Sequence, residues 1–153
     1  MSEACLEAAL RIRAIIGQGV PVGRGPEGER IDYPILGGEF QGSGIAGSVP
    51  PGGADHYLER ADGLGVLDAR YHLRCEDGSR IAIHNRGLLR LTARGTELAR
   101  GQWPIDPAEY CCRCTTSFAT EAPHLSWLQQ HVFVSAVYYP GLYEVAIDVY
   151  KLI

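Results

Sequence analysis

Nothing in this chain of 153 residues is apolar for long enough to cross a bilayer as a helix, which takes roughly 20 residues. Lysine and arginine never form a block either. Their densest stretch, Arg70 to Arg90, spreads five arginines among aliphatics and sets Glu76 and Asp77 beside them. With a net charge of −4, that argues against a dedicated nucleic-acid surface. The opening residues MSEACLEAAL carry acids where a secretion signal needs lysines, so a cytoplasmic protein is expected. Five cysteines, an odd number, fit reduced thiols in that compartment. His56, His72, His84, His124 and His131 form no H-x-H or H-x-x-x-H pair, and no G-x-S-x-G elbow presents a serine nucleophile. No metal site is expected, unless histidines from separate strands converge in space.

The chain does hold one dinucleotide fingerprint, Gly42-Ser-Gly44-Ile-Ala-Gly47. Such a motif cradles a pyrophosphate only where it links a strand to a helix whose N-terminal amides face the anion. The residues that follow are Ser48-Val49-Pro50-Pro51-Gly52-Gly53. Pro51 lacks an amide donor and drives Pro50 out of the helical region, so no helix can start there. The segment reads as glycine-rich β structure, and no cofactor is expected.

An apolar fraction of 46% excludes disorder. The 19 glycines and 9 prolines are spread evenly and punctuate short segments of period two, the pattern of an all-β sandwich or barrel. Leu6 to Ile16 alternates and is predicted as a strand in spite of its helical propensity. Leu67 to Cys75 alternates cleanly, Asp77-Gly78 turns the chain, and Arg80 to Asn85 runs back. Asp-Gly between alternating runs predicts a type I′ turn. Further strands are predicted at Gly87–Ala93, Tyr110–Phe118, His131–Tyr138 and Tyr143–Tyr150, with Tyr139-Pro140-Gly141 turning the last pair. The one predicted helix is Pro123 to Gln130, with Leu125, Trp127 and Leu128 on its inner side. About eight to ten mainly antiparallel strands in a single domain, 1–153, predict a closed β-barrel with one short helix. Closure removes sticky edges, and a barrel of this size can hold one small ligand.

Taken in order, these residues resemble a known family. They are Gly37 to Asp55, Asp62-Gly63, Leu67 to Leu73, Asp77-Gly78, Asn85 to Gly87 and Tyr110 to Thr120, followed by Trp127-Leu128, Phe133-Val134 and Asp148 to Tyr150. Together they resemble the bacterial family known as domain of unknown function 3237, or uncharacterised protein family 0311. The resemblance spans nearly the whole chain and implies a lipocalin-like (calycin-like) barrel with no general activity attached. Cys111 and Cys112 stand where the family pattern leads one to expect aromatics, which would reshape a pocket on that strand.

Several residues are candidates for chemistry. Asp68 and Arg70 leave one face of a strand, while Leu67, Ala69, Tyr71, Leu73 and Cys75 leave the other. If the charged pair faces inward, Asp68 can act as a general base while Arg70 holds a carboxylate or enolate oxygen. If it faces outward, it is an exposed ion pair of little consequence. Period two alone does not choose. Asp55 ends a Pro-Gly-Gly-Ala-Asp loop, where it either caps backbone or contacts a substrate at the barrel mouth. Asn85 can both donate to and accept from a ligand carbonyl. Arg113, flanked by cysteines, needs a partner such as Asp68 or a ligand anion if it is buried. Trp127 and Phe118 are either core or ligand platform. The cluster Cys111, Cys112 and Cys114 lacks zinc-site spacing and reads as small thiols packed in a core, and a nucleophilic Cys75 or Cys112 would need a nearby histidine.

The expectation is a small barrel that binds an aromatic or carbonyl-bearing organic molecule. Its catalytic residues would be Asp68, Arg70 and Asp55, and its ligand-binding residues Asn85, Arg113, Trp127 and Phe118. Isomerisation, lactone-type hydrolysis and cyclisation all suit such a set without a cofactor. A noncatalytic carrier and a structural β-domain that forms a homodimer or higher homo-oligomer are the alternatives.

Overall fold

Ten strands follow one another, broken by short helical segments only between the seventh and eighth and between the eighth and ninth. They are β1 (Leu6–Ile16), β2 (Val20–Gly25), β3 (Gly28–Gly42), β4 (Ile45–Ser48), β5 (Ala54–Arg60), β6 (Gly65–Cys75), β7 (Arg80–Leu91), β8 (Tyr110–Ala119), β9 (Val132–Gly141) and β10 (Glu144–Leu152). The computed structural model describes residues 2–153. All pairings are antiparallel, and they close on themselves. β1 pairs β10, then β9, β8, β7 and β6 follow in turn. β4 and β5 both bridge β6 to β3, and β3 pairs back onto β1. The result is the closed antiparallel barrel that the period-two pattern predicts. β2, exposed along its whole length, lies outside the ring as a ribbon on β3.

The glycine fingerprint has a structural use. Gly42 pairs with Ile45, and Ser43 and Gly44, both at positive φ, form the two-residue loop between β3 and β4. Two successive positive φ values define a type I′ turn, so that turn lies here. A Cβ on Gly47 would run into the Arg74 carbonyl, so only glycine lets β4 approach β6 so closely. The Asp77-Gly78 hairpin differs from expectation. Only Gly78 has positive φ, the Gly78 amide donates to the Cys75 carbonyl, and Asp77 Oδ1 accepts from the Ser79 amide. That is a type I turn followed by a left-handed glycine.

Three other boundaries shift. β7 runs unbroken through Gly87, because its partner strands β6 and β8 pair with it on both sides. The last hairpin turns at Leu142-Tyr143, two residues later than predicted, with Pro140 still inside β9. Pro123–Gln129 is a 3₁₀ helix, whereas a true α-helix, α1 (Ala93–Ala99), forms where none was predicted. Thr92 caps α1 by accepting from the Gly95 amide at 2.9 Å, a Thr-x-x-Gly start with little amphipathic pattern behind it.

Alternation sorts side chains to the two sides of the wall. Leu67, Ala69, Tyr71, Leu73 and Cys75 of β6 are buried inside, as are Ile81, Ile83, Asn85 and Leu89 of β7 and Cys112, Cys114, Thr116 and Phe118 of β8. The 3₁₀ helix lays Leu125 and Leu128 over one end of this core, each about 1% exposed. Among the described residues no helix is long and apolar enough to cross a membrane.

Candidate functional site

The inner wall carries a belt of cross-strand neighbours read directly from the register. Tyr33 lies opposite Asp55, Asp55 opposite Ala69, Ala69 opposite Asn85, and Asn85 opposite Thr116. Directly paired residues share a face of the sheet. Asp55 therefore points to the same side as buried Ala69 and Asn85, although it was read as a loop residue. Its Oδ1 accepts from the Asp68 amide at 2.9 Å. Among the described residues its second oxygen makes no hydrogen bond, and no arginine or lysine pairs with it. Burial pushes the Asp55 carboxyl up to about 6, against the pull of the Asp68 amide and with a smaller push from the Asp68 charge.

Beside Asp55 the belt is polar. Thr116 Oγ1 donates to Asn85 Oδ1 at 2.6 Å, and Ser135 Oγ donates to the same oxygen at 3.1 Å. All three residues are buried. The Asn85 amide nitrogen makes no hydrogen bond among the described residues, so its donors stay available. The Tyr71 hydroxyl is buried without any partner. Burial raises the Tyr71 phenol above its ordinary value, with smaller contributions from Cys114 and Asp55.

Further along, phenols and thiols crowd together. Tyr33 and Tyr57 meet edge to face at 5.9 Å between ring centroids. Trp103, Tyr110 and Tyr139 form a trio with centroids 5.2 to 6.1 Å apart. The Cys112 thiol lies 3.8 Å from the Tyr139 hydroxyl. Burial holds the Tyr57 and Tyr139 phenols well above their usual range. Contact with Cys112, and then burial, raises the Cys114 thiol, while the Cys114 contact lowers Cys112. No histidine lies in this group, so the nucleophile–base arrangement that a catalytic cysteine needs is missing from Cys112.

The candidates named from sequence divide by face. Asp55 and Asn85 come together on the inner wall. Asp68 and Arg70 do not join them. β6 turns its apolar set inward, so both stand on the outer surface, where Asp68 Oδ1 lies 2.6 Å from His84 Nε2 and Arg70 is exposed. Burying five apolar side chains outweighs placing a charged pair in the core. Arg113 is likewise exposed on β8; its guanidinium donates to the Cys112 carbonyl at 2.9 Å and has no contact with Asp68. Phe118 and Trp127 pack on Phe133, with centroids 5.1 and 6.1 Å away, in the apolar end under the 3₁₀ helix. They act there as core. The residues missed were Tyr57, Tyr71 and Tyr139. Tyr71 alternates visibly with its strand, but nothing in a sequence marks a hydroxyl that will lack a partner. Among the described residues no three histidine, cysteine or acidic side chains form a group able to hold a metal ion.

Comparison with known proteins agrees with this architecture. Residues 4–152 match the family model described as "Protein of unknown function (DUF3237)". A UPF0311 protein of Clostridium acetobutylicum is 36% identical over 120 residues, covering 78% of this chain and 73% of the relative. The crystal structure of a conserved protein of unknown function from Rhodopseudomonas palustris superposes with a TM-score of 0.92 at 33% identity, covering 100% of both chains. A structure described as a beta-barrel like protein, from Acinetobacter baumannii, gives 0.87 at 30% identity over 100% of this chain and 98% of its own.

Proposed function

This chain belongs to the DUF3237 family, whose description names no activity, and we propose from its inner wall that it binds a small carbonyl- or phenol-bearing organic molecule and moves a proton on it. Asp55 is the proton acceptor and donor. The observation that supports this most strongly is a partly buried carboxyl without a cationic partner whose proton affinity is raised to about 6. A carboxylate kept for structure is paired or hydrogen-bonded through both oxygens, because an unpaired one destabilises the fold. At neutral pH Asp55 is mostly ionised yet takes and returns a proton readily, as a general base requires. In the forward step its free oxygen removes a proton from the carbon beside the ligand carbonyl, leaving an enolate. In the return step the protonated carboxyl delivers that proton to another carbon of the same ligand. The unpartnered Tyr71 hydroxyl and the Asn85 amide donors are the groups available to the enolate oxygen. The result is an isomerisation, balanced in protons and electrons; the same base also suits lactone opening or cyclisation.

A second reading has its own support. Leu67, Tyr71 and Leu73 fill the interior while Asp68 and Arg70 face solvent, the arrangement expected of a packed structural barrel. Thermal unfolding in the presence of small aromatic acids, lactones and enones separates the two, because a ligand of the native state raises its midpoint. The expected result is a shift in the wild type that Asp55→Asn abolishes or reverses and Tyr71→Phe weakens, with Arg70→Ala unchanged. Equal shifts in wild type and Asp55→Asn would take Asp55 out of the site, and no shift with any compound would leave the structural reading standing.

A further inference from the structure

The eleven arginines on the strands, of thirteen in the chain, fall into two groups. Arg11, Arg13, Arg24, Arg30 and Arg60, on β1, β2, β3 and β5, each make an ion pair with an aspartate or glutamate. Among the described residues Arg70, Arg74, Arg80, Arg86, Arg90 and Arg113 make none, and all are exposed on the outer face of β6, β7 and β8. The only acid that these three strands send outward is Asp68, which lies against His84. Six arginines against one aspartate give this face a formal +5 on a chain whose net charge is −4. Arg74 and Arg80 even lie directly opposite each other in the ladder, a like-charge pairing that destabilises a sheet unless an anion covers it. At the nearby hairpin tip Asp77 pairs with His124, and neither it nor Glu76 makes an ion pair with these arginines among the described residues.

We infer that the outer face of β6–β7–β8 docks an acidic polypeptide segment carrying an apolar side chain. Its length argues for a chain rather than a small anion. Arg80 and Arg90 are ten residues apart on β7, which at the usual strand rise is roughly 33 Å, the reach of about ten extended residues. The apolar requirement comes from Leu88, 49% exposed and directly opposite Arg113, with Arg86 and Arg90 on either side of it on the strand. An exposed leucine ringed by arginines resembles the centre of a protein interface, where arginine is enriched and apolar contact supplies the anchor. Nucleic acid fits less well. No phenylalanine, tyrosine or tryptophan stands on the outward positions of these strands for bases to stack upon, and the remainder of the molecule is acidic. A symmetric contact between two copies would set arginine against arginine. An open hollow of about 790 Å³ at the Arg80 end, lined in part by His72, Ser79, Thr120 and Glu121, gives the segment room to seat one end. The inference stands independently of the interior site, which lies across the wall.

The test is fluorescence anisotropy with a labelled peptide of twelve residues, alternating aspartate and glutamate around one central leucine, titrated with the full chain. Binding should saturate, fall about tenfold or more between low and near-physiological salt, and weaken at least about tenfold in Arg86→Glu/Arg113→Glu. Arg24→Ala should bind as wild type does, and replacing the peptide leucine with serine should weaken binding severalfold. Because both reversed residues are exposed, the variant should keep the wild-type thermal midpoint; if it does not fold, Arg70→Ala/Arg74→Ala carries the same expectation. The inference is overturned if the reversal leaves affinity unchanged or an Asn/Gln analogue binds equally well. It is also overturned if a single-stranded oligonucleotide or a phosphatidylserine vesicle binds more tightly at matched salt.

Discussion

The two ends of the barrel interior share strands β6 to β9 and the same alternation, yet they hold opposite chemistry. Under the 3₁₀ helix, Leu73, Ile81, Ile83, Phe118, Phe133, Leu125 and Leu128 fill the space with carbon, and all are 8% exposed or less. Next along the same strands, β7, β8 and β9 contribute Asn85, Thr116 and Ser135, then Cys112 and Tyr139 farther on, and β5 adds Asp55. The first end obeys what burial favours; the second places a carboxyl, a free amide donor and an orphan phenol where apolar side chains would stabilise more. A fold that departs from its own packing rule in one place departs there for a reason other than stability, and local inconsistency of that kind is where function is to be sought.

Breaking the apolar end should have the largest effect. Phe133, 1% exposed, touches the rings of both Phe118 and Trp127. Phe133→Ala should cost about 3–5 kcal/mol, through the lost transfer energy and the void left behind. Urea unfolding followed by fluorescence measures it through the midpoint at unchanged slope.

The polar end should respond in the opposite direction, and its response should depend on pH. Asp55 binds its proton more tightly in the native state, near pH 6, than in the unfolded chain, where the ordinary value of 3.8 applies. Between those values the native state holds more protons, so its stability declines as pH rises and stays lowered above about 6. A shift of about two units corresponds to roughly 2–3 kcal/mol. Asp55→Asn still accepts the Asp68 amide but cannot ionise. The variant should therefore match wild type near pH 4, exceed it by up to about 2 kcal/mol at pH 8, and lose the decline between. Equal pH profiles for the two proteins would mean that Asp55 sits in a wetter place than its inward position implies.

Much of the first end was legible in the sequence and little of the second. Alternation in Leu67 to Cys75 identifies the strand and both of its faces, and the apolar set is the one that turns inward. What alternation does not carry is which polar residues join that inner side. Asp55 ends Pro-Gly-Gly-Ala-Asp and reads as loop, and only its pairing with Ala69 reveals that it shares the buried face. The outer arginines show the same limit. Arg70, Arg74, Arg80, Arg86 and Arg90 look scattered along the chain, yet even spacings put them all on one side of two adjacent strands, and β8 adds Arg113. Spacing within a strand is local information, whereas belts and patches are made by register between strands, which a single sequence leaves unstated.

The smallest expected effect comes from the residue whose sequence position made it most conspicuous. Arg70 stands one residue from Tyr71 on β6, but on the other side of the wall, exposed and without an ion pair among the described residues. Removing an exposed, unpaired side chain changes stability by no more than about 0.5 kcal/mol. Arg70→Ala should therefore leave both the urea midpoint and its pH profile as they are in wild type, including the decline that Asp55→Asn removes. Its crowding with other arginines gives the residual a sign, because deleting one positive charge from a face of formal +5 relieves repulsion. A slight stabilisation that fades as salt is raised from low to high concentration would confirm that the outer face is a charge patch with no partner inside the molecule. A loss of more than about 1 kcal/mol would instead tie Arg70 into the fold and remove the contrast between the two sides of this strand.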